Sequence, residues 1–161
     1  MKLLKILGGI VAALAIVVAL TFVAARFHDG PIAIIPGGAL VAGELAPDPV
    51  RDWGFAESVE TIELQLGDED TSRTTWILVR EGRAFIPCSL GFPPGKNWHL
   101  RADRDGRATV RILGKRYPVV LERLHESALE PELDAMVKSK YGSAPPSDAG
   151  IWFFSVESRT S

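Results

Sequence analysis

Hydrophobic and polar positions change rhythm several times along this chain. From Ile6 to Ala25 there is no charged residue, a run of about 20 positions that matches a bilayer's hydrocarbon core when coiled as a helix. From Thr61 to Leu66 the rhythm is strict alternation, with Ile62, Leu64 and Leu66 on one side, the period of a half-buried strand. Thr74 to Val79 is apolar on both faces, as expected of a single strand covered on two sides. Arg80-Glu81-Gly82-Arg83 reads as a hairpin turn and Ala84 to Cys88 as its returning strand. Arg107 to Leu113 alternates again, with Ala108, Val110 and Ile112 on one face, and Gly114 turns it into a partner strand from Lys115 to Leu124.

A helical period then takes over. Leu129, Leu133, Met136 and Val137 fall on one face, Ser127 and Glu130 have capping-box spacing, and Pro131 is tolerated in a first turn. Lys138 and Lys140 crowd the end and Gly142 stops the helix. Ser143 to Gly150 reads as a loop and Ile151 to Val156 as a closing strand. Earlier, Asp52-Trp53-Gly54-Phe55 reads as an aromatic plug, and the loop from Leu90 to Gly95 delivers a short helical turn carrying Trp98. The order predicts a mainly β, α+β fold: an N-terminal transmembrane helix, then a small split β-barrel with one or two covering helices. A β-sandwich is the alternative. The chain divides into an anchor at 1–28, a tether and packing segment at 29–57 and the barrel-like domain at 58–161.

Charge sets the orientation. Lys2 and Lys5 precede the apolar run, while Arg26 and His28 follow it, which favours a cytoplasmic N-terminus. The expectation is a single-pass, bacterial-type inner-membrane protein with its domain on the exported, periplasmic side. A cleavable signal peptide is the rival, since Val23 and Ala25 fit a small-residue cleavage pattern, but such apolar cores run only about 7–15 residues.

Composition removes several function classes. With 18 basic and 20 acidic residues the net charge is -2, so no global field draws nucleic acid, and no nucleic-acid partner is expected. One cysteine, Cys88, allows neither an intrachain disulfide nor a paired metal or redox motif, and its place at a strand end reads as a buried, inert thiol. His28, His99 and His125 lack ligand spacing, and Asp68, Glu69 and Asp70 lack the order of a calcium loop, so no metal site is expected. No nucleophile elbow or phosphate-cradling loop is present in the sequence, and the catalytic residues stay unknown.

Three short segments carry a resemblance. Trp98-His99-Leu100-Arg101-Ala102-Asp103, Ala108-Thr109-Val110 and Gly114-Lys115-Arg116-Tyr117-Pro118-Val119 resemble the split β-barrel flavin-binding, pyridoxamine-phosphate-oxidase-like superfamily. Within it the pattern is most similar to the deazaflavin-dependent nitroreductase branch, across residues 58–142. The resemblance implies a flavin or deazaflavin lying across a barrel face, often at a homodimer interface, with basic side chains and backbone amides on its phosphates. The residues that match are Arg73, Thr74, Thr75 and Trp76, with Lys96 and Trp98 from the later turn, and Arg73, Thr75, Lys96 and Trp98 are the candidate cofactor-binding set. Arg73 and Lys96 would pair with phosphate and Trp98 would stack on a ring. The competing reading makes Arg73 and Lys96 solvated surface charges and Trp98 a core residue.

One departure from that pattern matters. Where the family's loop is basic and rich in Gly and Ser, this chain has Gly67-Asp68-Glu69-Asp70. At an effective dielectric of about 20, each like-charge pair 4 Å apart costs on the order of 4 kcal/mol, so these acids oppose a phosphate. Two functions follow as expectations: a non-catalytic envelope binding module with a protein partner or, alternatively, a flavin- or deazaflavin-dependent oxidoreductase.

Overall fold

A computed structural model describes residues 2–67, 69–125, 128–142 and 150–160. The apolar run forms helix α1, Lys2–Ala25, and its stretch Lys5–Ala25 is long and apolar enough to cross a membrane. Its large apolar side chains are exposed to the surroundings, from Val18 at 47% to Leu14 at 63%.

Seven antiparallel strands follow: β1 Thr61–Leu66, β2 Ser72–Trp76, β3 Leu78–Arg80, β4 Arg83–Ser89, β5 Arg107–Ile112, β6 Lys115–Arg123 and β7 Ile151–Ser158. Helix α2, Trp98–Arg104, precedes β5, and helix α3, Glu130–Tyr141, precedes β7. The expected α+β class, the alternation of β1 and the two hairpins are all present. At the β3–β4 turn Glu81 and Gly82 have φ of 51° and 74°, the pair of left-handed residues that a two-residue hairpin requires.

The sheet order is β2-β1-β5-β6-β7-β4-β3. Its two outermost strands, β2 and β3, are separated in sequence by Ile77 alone. The edges of the sheet therefore meet at one residue, and the sheet rolls into a barrel whose seam is Ile77. This corrects the single strand expected from Thr74 to Val79. An apolar run cannot show a break when the residues on both sides of the break are apolar too.

Register decides which side chains face inward. Ile62, Leu64, Val110, Val119, Leu121, Ile86, Phe154 and Val156 fill the interior, with Trp53 as the plug. Trp53 is 3% exposed, edge-on to Tyr117 at 5.6 Å between ring centroids, and its backbone N–H donates to the Gly82 carbonyl at 2.8 Å. On the outer face Leu78, Phe85 and Phe153 form a second cluster beneath Leu133 and Val137 of α3, which is the helical face read from the sequence. The N-cap of α3 is Leu129, which makes no side-chain cap bond, so the helix does not start from Ser127 as the capping-box spacing suggested. Ser127 itself and the loop expected at 143–149 lie outside the described residues.

The end of α3 ties the seam. Having left both ladders, Ile77 donates its N–H to the Tyr141 hydroxyl at 3.1 Å, and that hydroxyl lies 2.6 Å from the Ile77 carbonyl. Lys140 Nζ donates to the carbonyls of Glu57, Val59 and Ile77 at 2.9, 2.6 and 3.0 Å. Backbone groups that a closed sheet strands at its seam are thus satisfied by side chains. Trp76 stacks on the Tyr141 ring at 4.2 Å.

The segment after α1 is strapped along the barrel. Arg111 of β5 binds Asp29 at 2.8 Å and also Glu63 of β1. Asp29 accepts from the N–H groups of Val41 and Ala42, Gln65 accepts from that of Leu40, and Ala46 donates to Arg116 at 2.8 Å. Burial is the largest single influence on Asp29 and opposes its ionisation, but the Val41 amide, Arg111 and the Ala42 amide together outweigh it and hold its carboxyl below the usual range. At Gly38 an added Cβ would come within 2.7 Å of the Arg26 carbonyl and 2.8 Å of the His28 carbonyl, so only glycine lets the strap close onto the end of α1.

Candidate functional site

Of the four candidate residues, Arg73 and Thr75 lie on β2, Lys96 lies just before α2 and Trp98 opens α2. Antiparallel partners share a face, and β2 pairs Arg73 with Leu64 and Thr75 with Ile62. Arg73 and Thr75 therefore point to the interior side of the sheet, not to the outer surface. The Arg73 side chain is 17% exposed, its Nη2 donates to Glu69 Oε2 at 2.6 Å, and its Cζ lies 6.0 Å from the centre of the Trp98 ring. The other oxygen of Glu69 accepts from Arg101 of α2 at 2.9 Å. One carboxylate thus joins the loop, β2 and α2.

Trp98 opens α2 and is 6% exposed, with its ring tilted against Phe154 at 5.7 Å. His99 beside it is 8% exposed and meets Trp152 of β7 edge-on at 5.1 Å. Over the Trp152 ring lies Arg123 of β6, Cζ to centroid 3.2 Å, a close cation–π stack, and its Nη1 is 3.5 Å from Asp103 Oδ2. A file of side chains, Arg73, Trp98, His99, Trp152 and Arg123, crosses the barrel end. Lys96, just before α2, donates to the Phe92 carbonyl.

Electrostatics at this end follow burial. Burial draws the Arg73 guanidinium below its ordinary value, with Glu69 pulling the other way. Burial pushes the Cys88 thiol up to about 11, although Lys96 and Arg73 oppose the shift, so near neutral pH Cys88 is a thiol and not a nucleophilic thiolate. Burial also lowers His99, helped by Lys96 and Arg123 and opposed by Asp103, leaving the imidazole neutral at pH 7. Lys96 is lowered by burial as well. Among the described residues, the buried polar atoms without a hydrogen-bond partner are Arg73 Nε, Ser89 Oγ, His99 Nδ1 and Arg123 Nε. All four belong to this end of the barrel or, for Ser89, to the strand end beside Cys88.

Arg73 and Trp98 come together directly, and Lys96 joins them through the field it shares with Arg73 at Cys88. Thr75 lies two residues further along the same face of β2. Neither Arg73 nor Trp98 is laid on the surface. In the acidic loop, which reads in the sequence as a segment that would repel phosphate, Glu69 has a half-buried side chain that bridges two arginines. Its spacing of four residues from Arg73 is visible in the sequence, but the direction of the pair is not. Arg101, Arg123 and Trp152 gave no sequence signal as parts of this cluster, because strand register and the docking of α2 bring them in.

No family model matches the sequence, and no curated protein matches it. Among solved structures, the fold is similar to a candidate pyridoxamine 5'-phosphate oxidase of Listeria innocua at 11% identity and a TM-score of 0.49, covering 65% of this chain and 87% of that one.

Proposed function

We propose that this protein is a membrane-anchored envelope module whose split-barrel-like domain binds a protein partner on the exported side and carries no redox cofactor. The observation behind this reading is the inward turn of Arg73, whose charge is taken up by Glu69 while its guanidinium faces Trp98. A phosphate would have to displace a carboxylate 2.6 Å away that also holds Arg101. Over this occupied interior the chain leaves apolar side chains in the open: Phe92 in the loop before α2 is 53% exposed and Leu100 on α2 is 51% exposed. Those two residues centre the binding face.

Photo-crosslinking tests the reading. A photoreactive residue at Phe92 or Leu100 of the full chain, expressed in its native membrane, is expected to give a discrete adduct with an envelope protein. The same probe at the buried Val119 serves as the silent control. Absence of any adduct from both exposed positions would sink the proposal. The flavin or deazaflavin oxidoreductase is the second reading, favoured by the approach of Arg73 to the Trp98 ring. If it held, Arg73 and Lys96 would carry the phosphate and Trp98 the ring contact.

A further inference from the structure

The join between α1 and the barrel is a built contact and not a free linker. Ala25, the last residue of α1, is fully buried, and Gly38 of the strap donates its N–H to the His28 carbonyl at 2.9 Å. The His28 ring contacts the Gly30 carbonyl through Nδ1 at 2.9 Å. Between these ties the chain makes a tight turn, in which Ile32 and Ile35 exchange N–H···O bonds of 3.0 and 2.9 Å. Ala33 at the tip has φ of 53°, and the Thr74 hydroxyl of β2 holds its carbonyl at 2.6 Å. A non-glycine residue in that left-handed region is uncommon, and it needs such ties to hold it. The turn displays Ile34 at 92% exposure, and Phe27, two residues past α1, is 87% exposed.

We infer that the turn from Ile32 to Ile35, together with Phe27, docks into the interfacial layer of the bilayer that α1 crosses, so that the domain sits on the membrane in a fixed attitude. The inference rests on α1 spanning the bilayer. The 21 residues of Lys5–Ala25, at about 1.5 Å each, use up the roughly 30 Å hydrocarbon thickness, which puts Phe27 at the headgroup level. Ile34 is four residues from Gly38, which touches the helix exit, so chain geometry keeps it within about 14 Å of that exit. Aromatic and aliphatic side chains at that depth suit the interface, where the apolar end is shielded and the backbone is still hydrated. With the strap clamped by Arg111 and Asp29, the two exposed side chains act as one rigid patch beside the helix. Continuity with the spanning helix is what identifies the bilayer as the occupant.

Collision-accessibility measurements with spin labels test it on the full chain in nanodiscs. Labels go on cysteines introduced as Leu14→Cys, Phe27→Cys and Ile34→Cys, one at a time. Cys88 is 2% exposed and its thiol is raised by burial, so it stays unlabelled, and its continued protection reports that each variant is folded. The expected result is that all three labels collide with dissolved oxygen and lose most of their broadening by a water-soluble nickel chelate, with Leu14 deepest. Full chelate broadening at Phe27 and Ile34 while Leu14 is shielded would overturn this inference alone. Full chelate broadening at Leu14 would overturn the spanning reading and this inference with it. Dipolar broadening between two Ile34 labels would put a second copy on the turn, which also overturns it.

Discussion

Replacing Tyr141 by Phe removes one oxygen from the barrel seam and leaves the ring able to stack on Trp76 at 4.2 Å. The lost hydroxyl accepts the Ile77 N–H at 3.1 Å, and Ile77 is fully buried. That donor is then unpartnered, at a cost of about 1–3 kcal/mol. The Ile77 carbonyl keeps Lys140 Nζ at 3.0 Å. Lys140→Met keeps the packing of the aliphatic stem and removes three donations. The Glu57 carbonyl turns to water, the Val59 carbonyl loses a bond of 2.6 Å, and the Ile77 carbonyl falls back on Tyr141. This variant should also cost about 1–3 kcal/mol. In the double variant Ile77 has neither donor nor acceptor satisfied by α3. Because each single change leaves one cover on the Ile77 carbonyl, the double loss should exceed the sum of the singles by about 1 kcal/mol or more. Urea denaturation of the full chain in detergent, followed by tryptophan fluorescence, gives all four values of the cycle. Additivity within about 0.5 kcal/mol, or a Tyr141→Phe cost below that figure, would refute the seam argument.

Other expectations come from the same contacts. Glu69→Gln leaves the largely buried Arg73 charge unpaired, while the half-exposed Arg101 turns to water, and should cost about 3 kcal/mol, more than Arg73→Met, which leaves Glu69 paired with Arg101; denaturation midpoints decide the order. Arg111→Ala frees the carboxylate that holds Val41 and Ala42, so hydrogen exchange should speed up at those amides while Ala46, bound to Arg116, stays protected. For His99 the native pKa lies below the ordinary value of 6.5, so as pH falls the unfolded chain takes up its proton first. Stability is then full above that value and declines below it until the native imidazole also protonates. Melting temperature against pH should show this decline in the native protein and a flatter profile in His99→Gln.

Much of the fold was legible because it is written locally. The alternation of Ile62, Leu64 and Leu66, the turn at Glu81-Gly82, the hairpin at Gly114 and the stripe Leu129, Leu133, Val137 each need only neighbours in sequence to be read. What was not legible depends on register or on distance. Arg73 and Thr75 face the interior only because they pair with Leu64 and Ile62, and no property of the segment itself fixes that side. The break at Ile77 is hidden by apolar residues around it and exists because the two sheet edges meet there. The strap rests on Arg111 and Asp29, which are 82 residues apart. The candidate site residues follow from a family resemblance; Arg73 lies 6.0 Å from the Trp98 ring, and the half-buried Glu69 takes up the Arg73 charge, which no local pattern announces.

Arg73 and Trp98 are both largely buried, the arginine paired with Glu69 and the indole packed on Phe154. The most direct test is the visible absorption spectrum of the full-length protein, purified in detergent and then dialysed to equilibrium against flavin mononucleotide and against a phosphorylated deazaflavin. The expected result is a colourless protein that retains neither compound, with an unchanged spectrum in Arg73→Met. Stoichiometric retention of either chromophore, lost when Arg73 is replaced, would contradict it.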